Sequence, residues 1–326
     1  MAGLIEGRWV ATLPAAEEIE GGRFVRMDSA FHDAVSPDPD AAFPAEAGRY
    51  HLWVAYSCPW ASRTLAVRAL KGLEDVISIS VASPGLGSEG WTYAEGPDGP
   101  AEGGFPLHRL YAEAVPDYTG KVTVPTLWDS QSRRIVNNES SEIIRILNSA
   151  FDGITGNQLD LYPESLRAEI DRWNALIYPA VNNGVYRAGF ATSQAAYDEA
   201  VRELFAMLDT LDAHLARHRY LAGDYCTEAD WRLFVTLVRF DIAYHGAFKC
   251  NLHRIADYPA LAPYLRELYQ WPGIVATVKL DQIKAGYYSL VNVNPSQVVP
   301  IGPPVDLTKP HDRDRLPGRG IWRRNN

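Results

Sequence analysis

The chain has 326 residues, with 31 Lys and Arg against 40 Asp and Glu, giving a formal net charge of −9. That acidic balance argues against nucleic acid as a main partner, and the length suffices for two domains. The 47% apolar and 22% charged residues are those of an ordinary globular protein, and no apolar run is long enough to span a membrane.

Residues 1–47 read as an extended arm. Pro37, Pro39 and Pro44 break any helix there, while Trp9, Phe24 and Phe31 are suited to pin the arm to a surface. The start of the chain lacks a basic stretch followed by an apolar core, so no signal peptide is expected. Only three cysteines occur, Cys58, Cys226 and Cys250, odd in number and far apart. They form no disulfide framework and fit a reducing, cytoplasmic compartment.

Over residues 48–152 the pattern alternates. Tyr50–Tyr56 is aromatic and β-branched, as a strand should be, and a helix carrying Leu65, Val67, Ala69 and Leu70 follows. A second strand is predicted over Asp75–Val81, then a long Gly/Pro-rich loop from Ser83 to Pro106. Val122–Asp129 reads as a third strand, Ile135-Val136 as a short fourth. A helix bearing Ile143, Ile144, Ile146 and Leu147 starts near Asn138. This order implies a compact α/β domain. Residues 165–285 read as helical throughout. Val201, Leu204, Leu208, Leu211 and Leu215 mark one buried helix face, and Thr227-Glu228-Ala229-Asp230 resembles a capping box. Residues 286–326 are Pro-rich and read as an irregular tail.

Cys58, in Tyr56-Ser57-Cys58-Pro59-Trp60-Ala61, is the chemically informative residue. Pro59 suits the first helical position, which leaves Cys58 as the N-cap beside unpaired N–H groups and the positive end of the helix dipole. Such a site makes a thiolate available near neutral pH. A dithiol enzyme would carry a second cysteine where Ala61 stands. Without one, a disulfide at Cys58 must be formed with, and resolved by, a small external thiol such as glutathione. The alternative is a buried cysteine that merely caps the helix.

Val124-Pro125 interrupts a strand, as proline does at an edge, a bulge or a cis bond. A cis proline facing Cys58 would offer the backbone of Val124 to an extended peptide. At the next helix start, the Ser140 hydroxyl and free N–H groups would suit a carboxylate and Glu139 an ammonium group; a plain helix cap is the competing reading. Gly85-Leu86-Gly87-Ser88-Glu89-Gly90 matches GxGxxG but is followed by no helix, so no dinucleotide site is expected. His245, Cys250 and His253 lack a fourth ligand at regular spacing, and no metal site is expected. His214 and His218 share a helix face and read as solvated.

Taken together, these residues resemble the glutathionyl-hydroquinone reductases, the Xi class of omega-like glutathione transferases. The likeness rests on Cys58-Pro59-Trp60-Ala61, Gly90-Trp91, Tyr118–Pro125, Val136–Ile144, Asn182–Tyr186, Ile283–Tyr288, Asn294-Pro295 and Val299-Pro300. It implies a thioredoxin-like N-terminal domain, an all-α glutathione transferase C-terminal domain and a homodimer. It also implies that Cys58 is the nucleophile, and that Trp91, Lys121, Val122, Thr123, Val124, Pro125, Glu139 and Ser140 hold glutathione. Tyr186 would be the proton donor, and Tyr244 and Tyr287 would stabilise the thiolate. The aromatic glutathionyl-hydroquinone would lie against the three tyrosines. Members often carry histidine and arginine where this chain has Ser62 and Lys121; lysine keeps the charge but loses bidentate contact. A thiol transferase, an aromatic ether- or halide-cleaving relative, or a non-catalytic glutathione-binding protein are the alternatives.

Overall fold

The structure, a computed structural model, describes residues 2–10, 13 and 19–324. They fall into two compact units: one takes in the described part of Met1–Glu17 with Met27–Asn157, the other that of Glu18–Arg26 with Gln158–Asn326. The arm therefore contributes to both units, and the Pro-rich tail lies within the second.

The first unit is built on a four-stranded sheet in the order Arg134–Asn137, Thr126–Asp129, Tyr50–Val54, Ser78–Val81. Tyr50–Val54 runs parallel to Ser78–Val81 and antiparallel to Thr126–Asp129, with Leu52 opposite both Ile79 and Leu127. Leu52, Leu127 and Val136 are completely buried, beneath the helices Pro59–Leu70 and Ser140–Ser149, which give the core Leu65, Val67, Ile143 and Leu147. This is the α/β layer arrangement expected.

Three predicted segments differ in detail. The second strand starts at Ser78, not Asp75, because Val76 N and Ile77 N donate to Leu73 O (3.1 and 2.9 Å) and hold residues 73–77 in a turn past the helix end. The third starts at Thr126, after Pro125, which has no N–H to give to a ladder. The stretch read as a long loop holds an antiparallel hairpin, Thr92–Gly96 with Gly99–Pro106. Its Tyr93 and Phe105 rings pack on Trp53 at centroid distances of 4.8 and 5.5 Å.

The second unit is helical. Arg167–Ile177, Gly184–Gly189, Gln194–Leu215, Glu228–Arg239, Leu261–Tyr269 and Leu280–Tyr288 are α-helices, with π-helical turns at Tyr178–Asn182 and Phe240–Tyr244. Leu204, Leu208, Leu211 and Leu215 are wholly buried, as their spacing requires. At Thr227, Asp230 accepts the N-cap N–H (2.8 Å) and also bonds Leu221 N and Tyr264 Oη. The tail is not irregular throughout. Gly320–Arg323 pairs parallel with Tyr225–Cys226 and antiparallel with Leu159–Asp160. The fully buried Arg313 donates to Leu215 O, His218 O and Arg219 O, the open carbonyls past the longest helix.

Candidate active site

In the first unit the chain passes from Tyr50–Val54 through a short turn, where Cys58 N donates to Ala55 O (3.1 Å), into the helix opening at Pro59. Cys58 is the N-cap, in extended conformation (φ −81°, ψ 121°), and its carbonyl accepts the first helical bond from Ser62 N at 3.0 Å. Its side chain makes no hydrogen bond that caps the helix. Cys58 is 8% exposed, with Sγ 3.4 Å from Val124 O. The Val124-Pro125 peptide is cis.

The loop carrying Val122–Pro125 is tied down from below. Tyr111 Oη donates to Thr123 O (3.1 Å), Thr126 Oγ1 to the same oxygen (2.8 Å), and Asn138 Nδ2 bonds both Tyr111 Oη and Thr123 Oγ1. Asn138 thereby couples this loop to the next two residues, Glu139 and Ser140. Gly120–Lys121, just before the loop, is covered by arm residues Gly3–Ile5 as an added strand. Trp91 is placed by its main chain, which accepts from Leu107 N (2.9 Å) at the base of the hairpin.

Glu139 is the N-cap of Ser140–Ser149: Oε1 accepts from Ser141 N and Ser141 Oγ, both at 2.9 Å, and Oε2 from Ser29 Oγ at 3.0 Å. Burial pushes this carboxyl up, but those hydrogen bonds and the nearby Arg63 outweigh it and hold Glu139 below the ordinary glutamate range. It is ionised at neutral pH and keeps lone pairs for a ligand cation. Ser140 Oγ accepts from Arg63 Nη1 at 3.2 Å. Arg63 is 1% exposed and lies over the Trp60 ring, which places its charge beside Ser140 at the helix start.

In the second unit the three tyrosines come together. Tyr287 Oη is 2.6 Å from Tyr186 Oη and 2.9 Å from Tyr244 Oη, so the hydroxyls form one chain centred on Tyr287. All three rings are buried. Tyr244 closes one π-helical turn and the other precedes the helix of Tyr186; such turns recur at functional sites because they re-aim side chains. Burial, reinforced by the neighbouring phenols, holds Tyr244 and Tyr287 well above the ordinary tyrosine value, with Arg239 pulling back. Both are hydrogen-bonding phenols rather than phenolates at neutral pH.

Sequence reasoning missed Arg63, Tyr111, Asn138 and Ser29, all of which hold this machinery. Asn138 lies inside a motif already singled out; Arg63 looks like any basic residue on a helix, and its partner is 77 positions away. Tyr93 was also missed. Its hydroxyl is buried without a hydrogen-bond partner, and burial, then Tyr111 and Cys58, push its phenol up. His214 is not simply solvated, because its ring packs on Trp173 (4.6 Å) and Nε2 lies 3.1 Å from Leu221 O. Among the described residues no three His, Cys, Asp or Glu side chains gather as a metal would need. No helix among them is long and apolar enough to cross a membrane.

Comparison with known proteins sets this geometry in context. The models of the glutathione S-transferase N-terminal and C-terminal domains match residues 57–150 and 194–267. Glutathionyl-hydroquinone reductase PcpF of Sphingobium chlorophenolicum is 50% identical over 304 residues, which are 92% of this chain and 96% of the relative. Glutathionyl-hydroquinone reductase YqjG of Escherichia coli is 48% identical, covering 96% of this chain and 99% of its own. Among solved structures, the Xi class transferase of Natrialba magadii superposes with a TM-score of 0.88 at 46% identity, covering 98% of both chains. The glutathione-bound structure of YqjG does so with a TM-score of 0.84 at 45% identity, over 95% and 98% of the two chains.

Proposed function

The chain belongs to the glutathione S-transferase family, among its Xi-class glutathionyl-hydroquinone reductases, and on that premise we propose that it reduces glutathionyl-hydroquinones to hydroquinones at the expense of glutathione. The observation that carries this reading is Cys58. It is an N-cap thiol spent on no cap bond, 3.4 Å from Val124 O, with Ala61 where a resolving cysteine would stand.

The Cys58 thiolate attacks the sulfur that joins glutathione to the aromatic ring. The sulfur–sulfur bond forms and the sulfur–carbon bond breaks. Its electron pair stays on the ring carbon, which takes a proton from Tyr186 and leaves as hydroquinone. A second glutathione then attacks the mixed disulfide; its thiol proton restores Tyr186, its sulfur ends in oxidised glutathione, and Cys58 departs as thiolate. Tyr244 and Tyr287, held protonated, are assigned to stabilising the thiolate. Val124 pairs with the extended tripeptide as an added strand, with Trp91, Lys121, Val122, Thr123 and Pro125 completing its groove. Glu139 takes the α-ammonium of glutathione, and Ser140 with the N–H groups of its helix takes the α-carboxylate. We infer further that the protein acts as a homodimer in the cytoplasm, a reducing setting suited to a chain with only three, widely spaced cysteines.

The test is turnover of a glutathionyl-hydroquinone with glutathione by the wild type and by Cys58→Ser, following hydroquinone release and the mass of the protein. Release by the wild type alone, with a glutathione adduct on Cys58 before resolution, is expected. An adduct without turnover would move the assignment to a thiol- or ether-directed relative, and neither adduct nor turnover would leave Cys58 a structural cap.

A further inference from the structure

The second unit is completed by chain from far upstream. The hairpin of Ile19–Glu20 and Arg23–Phe24 is fastened to its helices at three points. Thr192 N donates to Gly22 O (3.0 Å), Arg23 Nη2 to Glu199 Oε2 (2.6 Å), and the Phe24 and Phe190 rings meet at 5.2 Å. Gly22 has φ +83°, and a Cβ there would come within 2.5 Å of Ser193 Oγ, so a larger residue would lift the hairpin off.

What the hairpin delivers is Arg26. Its Nε donates to Asn183 Oδ1 at 2.8 Å, and its guanidinium carbon lies 4.7 Å from the centroid of the Tyr186 ring. Other groups also surround the Tyr186 phenol. Tyr287 and, beyond it, Tyr244 meet its hydroxyl side, and Arg239 acts on those two. Arg187, on the same helix, is turned to Glu199 and Glu203.

We propose that Arg26 is the positioning residue of Tyr186: it holds the ring by its face and attracts the negative charge left on the phenol once its proton has gone to the substrate. This rests on the reading of Tyr186 as proton donor. A cation on the face of a neutral phenol is held weakly, whereas the same cation beside a phenolate is held by full charge attraction. The contact therefore strengthens as the proton leaves, which is what an interaction must do to speed the step.

The test uses full-length protein labelled with 13Cζ-tyrosine, the Tyr186 resonance being assigned by its loss in Tyr186→Phe. In Arg26→Gln the Tyr186 titration should move up by about one pH unit. Hydroquinone release should slow about tenfold, with KM for glutathione and the rate of Cys58 alkylation unchanged. Arg26→Lys, which keeps the charge, should recover most of the shift. Equal midpoints in wild type and Arg26→Gln, or a wild-type resonance that does not titrate below about pH 12, overturn the proposal. Should Arg26→Gln unfold, Asn183→Ala removes the acceptor that aims the guanidinium and must shift the midpoint the same way; an unmoved midpoint there is equally decisive against it. If no protein in the set turns over substrate but the shift is present, the reductase reading fails while the hold of Arg26 on Tyr186 stands.

Discussion

Replacing Tyr287 by phenylalanine removes one oxygen from the centre of the phenol chain and leaves the ring where it packs, 5.0 Å from Tyr244 and 5.4 Å from Phe248. Two hydrogen bonds go, at 2.6 and 2.9 Å. Each contributes about 1 kcal/mol net, and leaving the wholly buried Tyr244 hydroxyl without this partner adds about 1 kcal/mol or more. The expected loss of stability is about 3 kcal/mol, a fall in Tm of about 6–12 °C if the second unit melts as one. The effect on chemistry is separable. When Tyr186 carries negative charge, its bond from Tyr287 becomes charge-assisted, worth about 1.5–3 kcal/mol instead of about 1. The difference of about 0.5–2 kcal/mol should slow hydroquinone release about 2- to 30-fold in single turnover. A variant that melts lower as calculated, yet releases hydroquinone within a factor of two of wild type at a temperature where it is folded, would refute the catalytic part of this reasoning. The phenols would then be packing alone.

Glu139→Gln should raise KM for glutathione about tenfold or more by removing the charge opposite its ammonium group, with kcat little changed; an unaltered KM places the ammonium elsewhere. Because the Glu139 carboxyl sits below its ordinary range, its contribution to stability is present above about pH 4.3 and is lost as pH falls through its lower folded value. The wild type's advantage in denaturant over Glu139→Gln should shrink accordingly in acid. His51 acts in the same sense over a higher window: burial, with Arg68 adding, pushes its imidazole down to about 4. The unfolded chain takes up that proton first, so stability should fall by up to about 3 kcal/mol between pH 6.5 and 4. His51→Gln should flatten this limb, and equal slopes in the two proteins would exclude His51 as its source. Arg313→Met removes the donor to three carbonyls at and just past the end of the longest helix, at 2.6–2.7 Å. It should cost about 3–5 kcal/mol, and a melting temperature within 2 °C of wild type, a change of less than about 1 kcal/mol, would show the tail to be ornamental.

Features written in adjacent residues were readable. Pro59 after Cys58 announced both a helix start and a thiol at its positive end, and Ala61 excluded an internal disulfide. The spacing of Val201, Leu204, Leu208, Leu211 and Leu215 marked a buried face directly. Composition misled elsewhere. Gly96, Pro97, Gly99 and Pro100 look like loop, yet the strands on either side pair because Tyr93 and Phe105 find Trp53, a residue from another part of the chain. The prolines of the tail suggested irregular chain in the same way, and concealed both Arg313 and the strand Gly320–Arg323.

The sequence by itself determined the helix start at Cys58-Pro59, the lack of a second cysteine at position 61, the layered first unit and the helical second one. Each follows from caps, breakers and periodicities that act over a few residues. Only the tertiary structure decided how the polar groups are held. Arg63 reaches Ser140, Ser29 reaches Glu139, Tyr111 reaches Thr123 and Asn138, and Tyr186 and Tyr244 meet on Tyr287. A buried donor or acceptor must find a partner wherever the folded chain supplies one, and the distance along the chain to that partner carries no periodic signal.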